Sequence, residues 1–210
     1  SDPWLQAALE QHTFIVVHDD HETANDCYWD YALDTLGAPD HPFSGDAGAL
    51  RRLKLESQQA WLEYVPARVA VQAGATHPHA YFKSYRDFRF GDLVQLNMLD
   101  TRTYRSPHPC GEAQIFERYL PLGCDAWRDS GQSLLGSEQA DWLRGRLALG
   151  GAIWNVLGNQ TLFAPLTLAG IAPINVDAWD GYDAERRWLS RQFRELNTSN
   201  PVVLTGDLHS

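Results

Sequence analysis

Residues 14–22 read Phe14-Ile15-Val16-Val17-His18-Asp19-Asp20-His21-Glu22. The first four residues form an apolar run rich in β-branched side chains, which is typical of a strand buried on both faces of a sheet. The five residues that follow are all polar. The sequence therefore predicts a strand over residues 14–17 that ends in a cluster of carboxylate and imidazole groups.

The same change from an apolar strand to a polar loop occurs three more times along the chain. The segments 93–99, 153–157 and 202–204 are followed by Asp100-Thr101-Arg102, Gly158-Asn159-Gln160 and Thr205-Gly206-Asp207-Leu208-His209, respectively. Each segment has the apolar or alternating pattern of a strand. Four strands with polar ends are thus predicted.

Helical periodicity separates these strands. Asp46, Ser137 and Asp183 are predicted to stand at the starts of three helices. The side chains predicted to face inward are Leu50, Leu53, Ser57, Trp61 and Tyr64 in the first helix, Trp142, Leu143 and Leu147 in the second, and Leu189, Phe193 and Leu196 in the third. Residues 37–45 and 106–136 are predicted to be long loops. The alternation of strands and helices indicates an α/β (α+β) fold.

The polar strand ends indicate a cation site. In open α/β sheets, ligands bind beyond the carboxyl ends of the strands, where loop residues converge. The residues at these predicted positions are Asp19, Asp20, His21, Asp100, Arg102, Asn159, Gln160, Asp207 and His209. Carboxylate, amide and imidazole groups suit a divalent or trivalent ion. Taken singly, each motif also fits an ordinary polar turn, and Arg102 fits either a surface ion pair or a clamp for phosphate oxygens.

Composition narrows the range of functions. The 210 residues carry 17 Lys+Arg against 27 Asp+Glu, a formal net charge of -10. This charge argues against bulk nucleic-acid binding, whereas a small anionic substrate is compatible because local cations or arginines can reverse the field. No run of residues approaches the roughly 18 apolar residues of a membrane span, so none is predicted.

The three cysteines leave two interpretations open. Cys110 and Cys124 flank a loop-like stretch rich in Pro, Gly and polar residues, and a disulfide between them would close a loop of about 15 residues. Two reduced thiols are the alternative. Cys27 has no partner under either interpretation.

The residues also resemble a known family. Val17-His18-Asp19-Asp20-His21-Glu22, followed by Ala24-Asn25-Asp26-Cys27, is similar to the signature of the PhoD-like alkaline phosphatases and phosphodiesterases, a branch of the metallophosphoesterases. Four later stretches resemble the family in the same order, at residues 98–105, 154–160, 177–182 and 203–210. The resemblance extends over nearly the whole chain.

This resemblance implies a two-sheet sandwich flanked by helices, incomplete at both ends, with residues 1–210 forming a partial metallophosphatase catalytic domain. It implies hydrolysis of phosphate mono- and diesters at a dinuclear site of iron and calcium, with zinc, manganese and magnesium as alternatives. It also implies an exported protein that acts on a small phosphoester and has no evident protein partner.

The resemblance assigns a role to each site residue. Asp20 and Asp207 would bind one metal, Asn159 or Gln160 would lie beside that metal, and His209 would bind the other. His21 would protonate the leaving alcohol or steer phosphate oxygens, and Arg102 would bind substrate.

Two family features have no counterpart in this sequence. The family takes a metal-binding Cys or Asp from an earlier strand, and a bridging carboxylate and a Tyr ligand from a Gly-Asp-x-x-Tyr segment. The isolated chain is therefore expected to bind metal weakly and to catalyse poorly. The competing hypotheses are a non-catalytic fragment that is structural or binds a partner through the long loop, and a hydrolase of phosphonates or lactones on the same scaffold.

Overall fold

The computed structural model describes residues 2–37, 40–81 and 83–207. The helices are α1 (Pro3–Gln11), α2 (Ala47–Tyr64), α3 (Pro78–Tyr81), α4 (Gly136–Ala148) and α5 (Asp183–Glu195). The strands are β1 (Tyr28–Asp30), β2 (Thr35–Gly37), β3 (Arg86–Phe90), β4 (Val94–Met98), β5 (Trp154–Thr161), β6 (Thr167–Leu168), β7 (Ala172–Pro173) and β8 (Pro201–Asp207). Short 3-10 turns cover Ala126–Arg128 and Trp179–Tyr182.

The main sheet has four strands in the order β3-β4-β5-β8. Strands β4, β5 and β8 are parallel, and β3 pairs with β4 in the antiparallel sense. Three of the four predicted strands are thereby confirmed as neighbours whose carboxyl ends share one edge of the sheet. Strands β1–β2 and β6–β7 form two small antiparallel pairs. The mixed α/β class is confirmed.

The sequence predicts the ends of β5 and β8 too early in the chain. Gly158, Asn159 and Gln160 lie inside β5, and residues 205–207 lie inside β8, because the parallel pairing continues through Asn159 and Thr205. Gly158 permits this close pairing, since a Cβ atom there would overlap the side chain of Met98 on β4.

The predicted strand over residues 14–17 is wrong. These residues belong to no strand in the part of the chain that the structure describes, and Phe14 is 42% exposed. The main-chain oxygen of Val16 instead accepts a hydrogen bond from Nη2 of Arg86 at 2.5 Å. An apolar β-branched run favours a strand, but a strand also needs a neighbour to pair with, and the run itself does not specify one.

The three predicted helices are present, with differences at their ends. Asp46 caps α2 as predicted, because its carboxylate accepts a hydrogen bond from the Ala49 N–H at 2.9 Å. Tyr64 was predicted to face inward but is 86% exposed, whereas Leu50 and Trp61 of the same helix are buried as predicted. Asp183 is the first residue of α5 rather than its cap.

The start of α4 is held by residues outside the helix. The helix begins at Gly136, one residue before the predicted Ser137. Ser133 Oγ accepts a hydrogen bond from the Gly136 N–H at 2.8 Å, and the carboxylate of Glu185 accepts one from the Leu135 N–H at 3.2 Å. Because the Glu185 carboxylate comes from α5, this cap also fastens the two helices together.

The hydrophobic core lies where α4 and α5 cover the main sheet. Its fully or almost fully buried members are Leu99, Leu134, Leu135, Leu143, Leu147, Leu157, Trp179, Tyr182 and Leu189. A smaller cluster of Cys27, Trp29, Leu36 and Leu50 joins α2 to β1 and β2. None of the helices in the described ranges combines the length and the apolar character of a membrane-spanning segment.

Cys110 and Cys124 form a disulfide with their Cα atoms 6.0 Å apart, so the bridged alternative holds. Cys27 is buried and is not part of a disulfide. The bridge closes a loop within residues 106–135, a segment without strands of the main sheet that contains one 3-10 turn.

Removing this bridge should lower the stability of the protein. A Cys110→Ala/Cys124→Ala variant is expected to lose about 3 kcal/mol of unfolding free energy, because a closed loop of this length limits the conformations of the unfolded chain. Urea unfolding of the natural full-length protein measures the loss. Dithiothreitol should destabilise the wild-type protein and leave the variant unchanged; equal midpoints for the oxidised wild type and the variant would contradict the prediction.

Candidate metal centre

Three carboxylates meet at the carboxyl edge of the main sheet. Asp19 and Asp20 follow the segment 14–17, and Asp207 ends β8. One oxygen from each of the three side chains lies within 4.8 Å of the others. Asp20 is buried, whereas Asp19 and Asp207 are partly exposed. The structure therefore brings together three of the predicted strand-end residues, Asp19, Asp20 and Asp207.

Arg102 lies at the centre of this cluster with its side chain fully buried. Its Nε donates to Asp19 at 2.7 Å, its Nη1 to Asp177 at 2.7 Å, and its Nη2 to Asp207 at 3.1 Å. Nη2 also lies 3.8 Å from Asp20 Oδ1. Burial opposes the charge on the guanidinium, but the surrounding carboxylates, led by Asp177 and Asp19, raise the pKa of Arg102 well above its ordinary value. Arg102 thus remains charged and holds the cluster together.

Asp177 forms the inner side of the cluster. Besides Arg102, its carboxylate contacts Arg105 Nη1 at 2.9 Å and His108 Nε2 at 2.9 Å. Burial alone would raise the pKa of Asp177, yet Arg102, Arg105 and His108 together lower it well below its usual range. On the far side of the ring, His108 Nδ1 lies 2.7 Å from the carboxylate of Glu112.

The cluster has an excess of negative charge. Four carboxylates, those of Asp19, Asp20, Asp177 and Asp207, lie beside two guanidinium groups, those of Arg102 and Arg105, and the rings of His108 and His21 approach Asp177 and Asp20. Burial raises the pKa of Asp19, Arg102 lowers it, and Asp20 and Asp177 raise it further, with a net shift upward. An additional cation beside these carboxylates would reduce this repulsion.

A tight turn orients Asp20. Its Oδ2 accepts a hydrogen bond from the Asp26 N–H at 2.7 Å, and its main-chain oxygen accepts hydrogen bonds from the N–H groups of Thr23 at 2.8 Å and Ala24 at 2.9 Å. The carboxylate is therefore fixed from both its side chain and its main chain.

His21 lies at the surface of the site. Its side chain is 66% exposed, and its Nε2 is 3.9 Å from Asp20 Oδ2. An imidazole in this position is accessible to a bound molecule and lies next to the carboxylates.

Asn159 and Gln160 are buried in β5 and make hydrogen bonds to the protein. The Asn159 side chain accepts from Trp179 Nε1 at 3.0 Å and donates to the main-chain oxygen of Thr161. The Gln160 side chain accepts from Thr101 Oγ1 at 2.9 Å and donates to the main-chain oxygens of His18 and Leu99, each at 3.0 Å. Gln160 thereby joins the segment before Asp20 to the carboxyl end of β4.

Asp100 was one of the predicted strand-end residues, but it is buried and accepts hydrogen bonds from Ser84 Oγ at 2.6 Å and from the Thr103 N–H at 2.8 Å. His209 lies outside the described residues. Asp177 was missed as a site residue, because it lies in a loop between short elements rather than at the end of a strand. The only signal for it in the sequence was its place in one of the family-like stretches.

A small cleft opens beside the cluster. It is lined by Thr161, Leu162, Leu166, Asn175, Asp177, Ala178, Asp180 and Asp207. Its volume is about 10 Å³, which is room for about one water molecule, so Asp177 and Asp207 line a small space next to Arg102.

Comparison with known proteins supports one family. The family model of the PhoD-like phosphatases matches residues 1–210. Alkaline phosphatase D of Bacillus subtilis (strain 168) is 34% identical over 212 residues, which covers 100% of this chain and 33% of that protein. A solved structure described as "Structure of PhoD" superposes with a TM-score of 0.80 at 32% identity, over 99% of this chain and 37% of that one. The chain thus spans about a third of the length of these relatives. With motifs, fold and whole-chain similarity in agreement, this chain belongs to the PhoD-like phosphatase family.

Proposed function

We propose that the natural full-length protein hydrolyses phosphate monoesters and diesters at a metal centre to which Asp20 and Asp207 contribute ligands. The observation that carries this proposal is the approach of the Asp19, Asp20 and Asp207 oxygens to within 4.8 Å of one another in a chain of the PhoD-like family. Metal ions bound there would polarise the phosphate and lower the pKa of a bound water.

The chemistry of the donors fits a hard cation. Carboxylate oxygens are the preferred ligands of calcium and magnesium, and the excess negative charge around Arg102 favours an added cation. We propose a dinuclear centre of iron and calcium, as the family resemblance implies, with zinc, manganese or magnesium as alternatives. Asn159 or Gln160 would lie beside the first metal, and His209 would bind the second.

Arg102 has two roles in this proposal. In the structure its donors bind carboxylates, so it positions Asp19 and Asp207. Binding of phosphate oxygens by Arg102 requires one of these carboxylates to release a guanidinium N–H. Engagement of Asp207 by a metal would provide that release.

His21 is the proposed general acid. Its exposed imidazole, 3.9 Å from Asp20, can approach the leaving group of a phosphoester held at the carboxylates. Donation of a proton from His21 to the departing alkoxide oxygen neutralises the charge that develops there.

The alternative to an enzyme is a structural or partner-binding role. The observation that favours it is the set of bonds from Arg102, which partly neutralises the carboxylates without a metal. Metal analysis separates the two functions: stoichiometric iron or calcium in the natural protein supports the enzyme, whereas a folded protein without metal supports the structural role.

We also propose that the protein is exported. The Cys110–Cys124 disulfide supports this location, since such bonds persist in oxidising compartments.

Replacing Asp207 should weaken metal binding. The Asp207→Asn variant is expected to bind Ca²⁺ more than about tenfold less tightly than the wild type, because loss of even an outer-shell partner of a metal costs about 10- to 100-fold in affinity. Isothermal titration of the metal-depleted natural protein with Ca²⁺ measures this. Asp141→Asn is the matched control, since Asp141 pairs with Arg144 at the exposed surface of α4. Equal affinities for Asp207→Asn and the control would refute the ligand role of Asp207.

Replacing His21 should affect substrates according to their leaving groups. The His21→Ala variant is expected to lose about 10²–10⁴-fold in turnover of an alkyl phosphate, whose leaving group needs a proton, and much less with p-nitrophenyl phosphate. Steady-state kinetics with both substrates measures the difference. A small and equal loss with both substrates would remove His21 from the role of general acid.

A further inference from the structure

We propose that Arg118 is a positioning residue for the metal ligand Asp20 and that it acts through Asp26. This inference rests on the proposed function, because it assigns a task to a residue that touches neither the metal nor the substrate. Arg118 lies within the loop closed by the Cys110–Cys124 disulfide, far in sequence from the turn that it supports.

The first link is a buried ion pair. Arg118 and Asp26 are both 0% exposed, and Arg118 Nη1 donates to Asp26 Oδ2. The hydroxyl of Tyr119 donates to the same oxygen at 3.1 Å. Two neighbouring residues of the disulfide-closed loop therefore hold the Asp26 carboxylate.

The second link is the main chain of Asp26. Asp26 has a φ of 52°, in the left-handed region that residues other than glycine adopt at a cost. In this conformation its N–H donates to Asp20 Oδ2 at 2.7 Å. Because the ion pair with Arg118 fixes the side chain of Asp26, it also keeps this N–H directed at Asp20.

The main chain of Arg118 joins the same loop to the other side of the site. Its carbonyl oxygen accepts a hydrogen bond from the Val176 N–H at 2.8 Å. Val176 precedes Asp177, which is the buried partner of Arg102. A single residue thus connects the loop to the turn that carries Asp20 and to the segment that carries Asp177.

Asp40 provides a matched control for this connection. The Nη2 group of Arg118 donates a hydrogen bond to the carboxylate of Asp40, a residue whose side chain is 36% exposed. Asp40 and Asp26 are thus two acidic partners of one guanidinium, and Asp26 is the one whose N–H donates to Asp20.

The test is a double-mutant cycle in the natural full-length protein with Ca²⁺ as the probe. Arg118→Met is expected to weaken Ca²⁺ binding by about tenfold, the lower end of the range for outer-shell partners, whereas Asp40→Asn stays within about twofold of the wild type. Asp26→Asn tests the pathway without a large change of shape, because asparagine tolerates the left-handed conformation. The double variant Arg118→Met/Asp26→Asn should bind Ca²⁺ no more weakly than Arg118→Met, because the two residues act as one unit.

Further measurements distinguish a positioning role of Arg118 from general support of the fold. Arg118→Lys should restore part of the Ca²⁺ affinity, kcat for p-nitrophenyl phosphate should fall with affinity across the series, and Asp40→Asn should change neither. Independent effects that multiply in the double variant would overturn the inference. A lowered Tm of the metal-free Arg118→Met protein with unchanged Ca²⁺ affinity would overturn it as well. If the Arg118→Met protein does not fold, the Asp26→Asn variant becomes the test, and an unchanged Ca²⁺ affinity of that variant would overturn the inference. Failure of the proposed function is seen separately, as absence of Ca²⁺ binding and hydrolysis in the wild-type protein.

Discussion

The site depends on one constraint, the burial of the Arg102 guanidinium. A charged group without water must be compensated by opposite charge and hydrogen bonds. Arg102 obtains this compensation from Asp19, Asp177 and Asp207, which lie 83, 75 and 105 residues away in the chain. Three distant segments must therefore converge before Arg102 can be buried, and the same convergence brings the carboxylates close enough to share a cation.

Strand pairing and loop contacts bring these segments together at one edge of the main sheet. Parallel pairing of β4, β5 and β8 brings the start of the Arg102 loop and the end of β8 to the same edge of the sheet. Gln160 bonds the segment before Asp20 to this edge, and Arg118 bonds Asp26, in the turn that follows Asp20, to the disulfide-closed loop. The long loop is thereby part of the architecture of the site. Loop and site are connected, because Arg118 of this loop binds Asp26, whose N–H donates to Asp20.

Local sequence patterns predicted the parts of this structure that depend on local interactions. The alternation in residues 93–99 located β4, and Asp46 located the start of α2, because these signals arise within a few residues. Pairing partners are not local: the apolar run 14–17 has the composition of a strand, yet it has no strand neighbour among the described residues.

The side-chain partners within the site were not predicted, because these contacts also join residues that are far apart in the sequence. Position after a strand identified Arg102, but nothing near it in sequence shows that its donors face carboxylates, or that Asp177 is one of them. The spacing of Cys110 and Cys124 allowed a bridge without requiring it. The family resemblance added what periodicity lacked, since five ordered motifs imply a shared three-dimensional arrangement, and the match to a solved PhoD structure agrees with that arrangement.

The most direct test of this account is the location of a bound cation. Crystals of the natural full-length protein grown with Mn²⁺ should show an anomalous scattering peak within about 2.0–2.6 Å of carboxylate oxygens of both Asp20 and Asp207, the range of hard-metal ligand distances. A peak held by other residues, with Arg102 still bound to Asp207, would contradict the account.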